Sequence, residues 1–112
     1  MALDLHRLED FTGGWFVGRF SPTLIPSGDV EVAVKNYRAG DHEPEHHHRV
    51  AVELTVVVAG RVRMSGREFG AGDIIRIAPG EATDFTALTD AITTVVKMPS
   101  VAGDKYPGPF SP

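Results

Sequence analysis

The chain of 112 residues contains no cysteine. That excludes disulfides, a thiolate metal site and a cysteine nucleophile, and it suits a reducing, cytoplasmic setting. No apolar run reaches the roughly 20 residues that a membrane-spanning helix needs. The first ten residues hold Asp4, Arg7, Glu9 and Asp10 and lack the apolar stretch of a signal peptide. Positive charge is not in excess: 11 Lys and Arg against 15 Asp and Glu leave a net charge of −4, mixed along the chain. That balance argues against a nucleic-acid partner, which calls for a basic face. Ser65 and Ser100 lack a Gly-x-Ser-x-Gly setting, and no Gly-rich loop enters a helix to cradle a phosphate.

What is plentiful is punctuation. Twelve glycines and eight prolines cut the chain into short β-branched segments, the pattern of an all-β sandwich or barrel in one domain. The segments predict strands at Trp15–Phe20, Val30–Arg38, His46–His48, Val52–Ala59, Val62–Met64, Arg67–Phe69, Ile74–Ile77, Thr83–Ala87 and Ala91–Met98. In the second of these, Val30, Val32 and Val34 share one face and Glu31, Ala33 and Lys35 the other. Val56-Val57-Val58 is apolar on both faces, so its strand is expected to be covered on both sides, by a second layer or a second subunit. The last stretch, 99–112, carries four prolines and is expected to be an extended arm. The expected organisation is a lead-in over 1–29, a barrel over 30–98 and the arm over 99–112.

The candidate chemistry lies between Gly40 and Gly60: Gly, five residues, His46-x-His48, four residues, Glu53, six residues, Gly. Alternation on a strand points His46 and His48 to one face and His47 to the other. A turn after His48 would bring Glu53 back to the same place. Imidazole and carboxylate suit zinc, manganese, iron, nickel or copper. His42, Glu43 and Glu45 upstream read as a solvated acidic loop.

This spacing resembles the first signature of the cupin family. The second signature is matched in frame: Gly72, five residues, Ala78-Pro79-Gly80, two residues, then Thr83 where the family has a histidine and Ala87 where it has an asparagine. The resemblance spans residues 30–98. It implies a cupin-like antiparallel β-barrel of jelly-roll topology, a divalent-metal site at His46, His48 and Glu53, and Thr83 and Phe85 on the pocket wall. Arg38 continues the Val30-Val32-Val34 face and Lys97 the Thr93-Val95 face, and with those faces turned inward both are candidates to meet an anionic substrate inside the barrel. Trp15, Phe16 and Phe20 read as core or interface, and Arg61, Arg63 and Arg67 as exposed hairpin charges. The expected function is binding of, or metal-dependent chemistry on, a small polar metabolite. Oxygenase, sugar isomerase or epimerase, and non-catalytic sensor classes all stay open. The expected partners are a small-molecule ligand and a second copy of the chain, with neither nucleic acid nor membrane.

Overall fold

The computed structural model describes residues 2–111; Met1 and Pro112, the outermost positions of the expected lead-in and arm, lie outside the described residues. Ten strands run in chain order: β1 Trp15–Val17, β2 Glu31–Tyr37, β3 His42–His47, β4 Val52–Ala59, β5 Arg61–Met64, β6 Arg67–Gly70, β7 Ile74–Ile77, β8 Ala82–Ala87, β9 Ala91–Met98 and β10 Tyr106–Pro107. They form two five-stranded sheets with antiparallel pairing, ordered β1-β2-β9-β4-β7 and β10-β3-β8-β5-β6. This is the jelly-roll architecture that the motif spacing implies. No described helix is long and apolar enough to cross a membrane.

The sheets pack face to face at one end around Val57, Val62, Met64, Ile77, Phe85, Ala87 and Ala91, which come from both layers. Burial alternates along β4 and β9: Glu53, Thr55 and Val57 point in, as do Ala91, Thr93 and Val95. The outer face of the same sheet is apolar too. In register across it lie Val32, Val96 and Leu54, then Val34, Thr94, Val56 and Ile74. Ile74 and Val58 are more than half exposed. The expectation of a second copy rests on this face together with the aromatic N-terminal strand and the Pro-rich arm.

Two expected strands differ by more than one residue at an end, and one differs in facing. β1 ends at Val17 because Gly18, at φ 152, turns the chain away. β3 begins at His42, so the segment read as an acidic loop is a strand, paired with β8 through His42 opposite Thr86 and Glu43 opposite Phe85. In β2 the inward face is Glu31, Ala33, Lys35 and Tyr37, not the valine face. Ala33 is fully buried, whereas Val34 lies on the outside with Leu8, Phe11, Phe16 and Leu24 of the lead-in against it. The lead-in can lie that close because Gly14, at φ 79, has no Cβ; one added there would stand 2.0 Å from the Val34 carbonyl oxygen.

The arm folds back on its own chain. Tyr106 and Pro107 pair with His47 and His46 at the edge of β3. His47 is buried on the outer side of β3, where its Nδ1 donates to the Gly108 carbonyl at 2.8 Å and its ring stacks on Tyr106. Arg49 donates to His47 Nε2 and lies over the Tyr106 ring, 3.9 Å from its centre. An arginine between two aromatic surfaces replaces the regular ladder that a proline-rich segment cannot form.

Candidate functional site

Between the two sheets, at the end away from the apolar core, lies a cavity of about 160 Å³. Its chemistry is set by one cross-strand row. Glu31 of β2, Lys97 of β9 and Glu53 of β4 are direct neighbours on the inner face, acid–base–acid. Lys97 Nζ lies 3.5 Å from Glu31 Oε1. Glu31 is held in turn by Ser100, whose Oγ donates to Oε2 at 2.7 Å. Glu53 accepts from Thr55 Oγ1 at 2.9 Å, two residues along the same face.

The next inward positions of β2 add Lys35 and Tyr37. Lys35 Nζ donates to the Gly13 carbonyl at 3.1 Å. Tyr37 packs on Phe85 across the two sheets, ring centres 4.5 Å apart, and donates to Glu43 Oε1 at 2.9 Å. Burial pushes the Tyr37 phenol well above its usual range, with the Glu43 charge adding to it. Burial lowers the Lys35 ammonium, and the charge of Glu43 offsets part of that. Trp15 closes the wall: Lys35 Nζ stands 5.3 Å and Lys97 Nζ 4.8 Å from its ring centre. Two ammonium groups thus share one indole face or edge, a cation–π arrangement in a half-desolvated site.

The residues singled out in the sequence are only partly brought together. His46 and Glu53 line the cavity, as do Thr83, Phe85 and Lys97. Thr83 sits beside His46 on the adjacent strand, on the sheet facing Glu53. Its hydroxyl is taken, accepting from Ser65 Oγ and donating to the Asp84 carbonyl, each at 2.8 Å. Phe85 belongs mainly to the core. Arg38 is exposed beyond the end of β2 and is not among the cavity residues, because the strand faces the other way from the expected one. His42 is exposed and bonded to Thr86.

His48 lies just past β3, almost fully buried. Its Nδ1 stands 3.9 Å from Glu53 Oε1, too far for a hydrogen bond, and its Nε2 has no partner among the described residues. Burial lowers its pKa to about 4, with the charges of Lys97 and His46 pushing the same way. It is therefore a neutral imidazole at physiological pH.

The fit to a divalent ion is incomplete. His46 and His48 meet edge to face with ring centres 5.2 Å apart. The His46 Nδ1 contact to the Pro44 carbonyl at 3.2 Å and the Thr55 bond to Glu53 are the kind of outer contacts that orient metal ligands. Yet among the described residues no three His, Asp or Glu side chains surround one point closely enough to hold an ion. The chemistry of the donors suits a metal; their arrangement as it stands does not.

Glu43, Lys35, Tyr37 and Trp15 were not legible as site residues. Glu43 read as solvated and Trp15 as core or interface. The signal for Lys35 and Tyr37 was present as alternation in β2, with the wrong face assigned inward. A second feature could be read from the sequence only with the cavity known. The chain has three lysines, Lys35, Lys97 and Lys105, and all three line the cavity, whereas none of its eight arginines does.

No family model matches the chain, and neither does any curated protein. Solved structures do. A protein with a double-stranded β-helix domain from Klebsiella pneumoniae aligns at TM-score 0.64 and 24% identity over 69% of each chain. The DMSP lyase DddQ from Ruegeria pomeroyi aligns at TM-score 0.70 and 19% identity, over 88% of this chain and 52% of that one. An RmlC-like cupin protein from Ralstonia eutropha aligns at TM-score 0.56 and 19% identity, over 64% and 49%.

Proposed function

From the premise that this chain has the cupin fold, we propose that it binds a small anionic metabolite, a carboxylate of a few carbons, in the cavity between its sheets. The observation that carries this reading is the gathering of every lysine in the chain around one cavity. Lysine is ordinarily a surface residue, and desolvating an ammonium is costly unless an anion meets it. Only Lys97 has an ion-pair partner among the described residues. Lys35 and Lys105 are left to a ligand. The volume sets the size: a dry cavity of roughly 150 Å³ takes a molecule about as large as benzene. Tyr37 and Glu43, joined by a hydrogen bond, supply a proton-transfer pair beside that ligand. The lyase among the structural neighbours makes an enzyme of this fold a natural comparison.

The single tryptophan, Trp15, stands between two of the lysines and reports on them. Titration with acetate, glycolate or pyruvate is expected to change its fluorescence saturably. Lys97→Met is expected to weaken that binding about tenfold or more, the loss of one charge-assisted contact. No saturable change with any of these anions at millimolar concentration would sink the reading.

A second reading adds a divalent ion at His46, His48 and Glu53, and the unpartnered, buried Nε2 of His48 supports it. Such an ion would supply a Lewis acid beside the lysines; the protein side chains would have to close around it. Metal analysis of untagged protein tests this: content should fall in His46→Ala and Glu53→Ala, and equal content in all three proteins rejects the ligands.

A further inference from the structure

One of the three lysines differs from the others. Lys97 is tied to Glu31. Lys105 is exposed on the arm. Lys35 alone is both half-buried and free of any ion pair among the described residues; its one polar contact is the neutral Gly13 carbonyl. It points into the cavity two residues before Tyr37 on the same strand face. Glu43 is the acid whose charge acts on it most.

We propose that Lys35 is an imine-forming amine, whose Nζ condenses reversibly with the carbonyl of a small oxo acid while Lys97 holds that acid's carboxylate. The geometry supports the pairing of roles, since both Nζ atoms lie within 5.3 Å of one indole centre, so a two- or three-carbon oxo acid spans from one towards the other. Burial favours the neutral amine that the reaction needs.

The step balances within the site. Glu43 takes a proton from the Lys35 ammonium. The free amine adds to the carbonyl carbon, the N–C bond forming as the C=O π pair moves to oxygen. Proton transfer from nitrogen to that oxygen leaves a carbinolamine. Glu43 then returns its proton to the hydroxyl, which departs as water, and the nitrogen lone pair forms the protonated imine. No oxidant or metal takes part, and Tyr37, bonded to Glu43, keeps that carboxylate turned towards the cavity.

The Lys97 part of this proposal rests on the anionic-ligand reading above; the amine part does not. The test is reductive trapping of the full-length protein with glyoxylate and sodium cyanoborohydride, followed by peptide mapping. The expected result is an adduct at Lys35 formed several-fold faster than at Lys97 or Lys105, which serve as internal controls. Lys35→Arg should lose that adduct while keeping its circular dichroism spectrum. Equal labelling of all three lysines would overturn the proposal, and wild-type mapping decides this even if the variant fails to fold. Acetate, which has no carbonyl to condense, should slow the trapping. Selective labelling of Lys35 that acetate leaves unchanged would uphold the amine and overturn the anionic reading.

Discussion

Asp104→Ala should lower the stability of the fold by about 3 kcal/mol or more and the melting temperature by more than about 10 °C. Asp104 is buried, and its carboxylate accepts three successive backbone N–H groups: Arg49 at 2.8 Å and Val50 at 3.2 Å, and Ala51 at 2.9 Å. Burial alone would raise its pKa, but these donors more than offset that and hold it below the usual carboxylate range. Truncation to alanine leaves the buried Ala51 N–H and the half-buried Arg49 and Val50 N–H groups without their acceptor, and a buried orphan costs about 1–3 kcal/mol. Asp104→Asn keeps one acceptor oxygen and should fall between. The consequence reaches the site, because residues 49–51 connect His48 to Glu53 and because Asp104 fastens the arm that carries Lys105. Thermal unfolding followed by circular dichroism measures it. A shift of only 2 or 3 °C, within about 1 kcal/mol, would show that water replaces the carboxylate at little cost.

Acid should cost the metal-free protein up to about 3 kcal/mol through His48 alone. Its folded pKa of about 4 lies below the ordinary histidine value of 6.5. The unfolded chain therefore binds a proton over a range in which the folded one does not. The sign follows: the contribution is complete above pH 6.5, declines as pH falls from 6.5 towards 4, and is lost below that. Burial is the main cause, with the charges of Lys97 and His46 opposing a further positive charge. Urea unfolding at pH 7.5 and at pH 4.5, with chelator present, should show this decline, and His48→Gln should flatten it. A wild-type stability that is level between those two pH values would mean that His48 takes its proton without penalty, and the account of its neutral, buried state would be wrong.

The strands from β4 to β9 were legible because their apolar residues alternate or run between glycine and proline turns. Val52–Ala59 and Ile74–Ile77 fall where that pattern puts them, as does Ala91–Met98. His46 and Glu53 both line the cavity. β2 failed for a physical reason. The rule that the apolar face points inward assumes an apolar interior and a wet exterior. Here the interior at that end is a polar cavity, and the outward Val34 lines an apolar groove with Phe11 and Phe16 of the lead-in. The inversion carried Lys35 and Tyr37 into the site and left Arg38 outside it.

Glu43 illustrates the other limit. Beside His42 and Glu45 in an acidic run it has every local mark of a solvated residue, and only the pairing of β3 with β8 turns it towards Tyr37. Sequence by itself determined what is local and periodic: an all-β chain, the turns at its glycines and prolines, and the close spacing of two imidazoles and a carboxylate along the chain. Tertiary structure alone decided which face of β2 is inner, that three distant lysines share one cavity, and that a proline-rich arm locks onto its own barrel. Those outcomes depend on what covers each face, and cover comes from residues dozens of positions away, which no local pattern encodes.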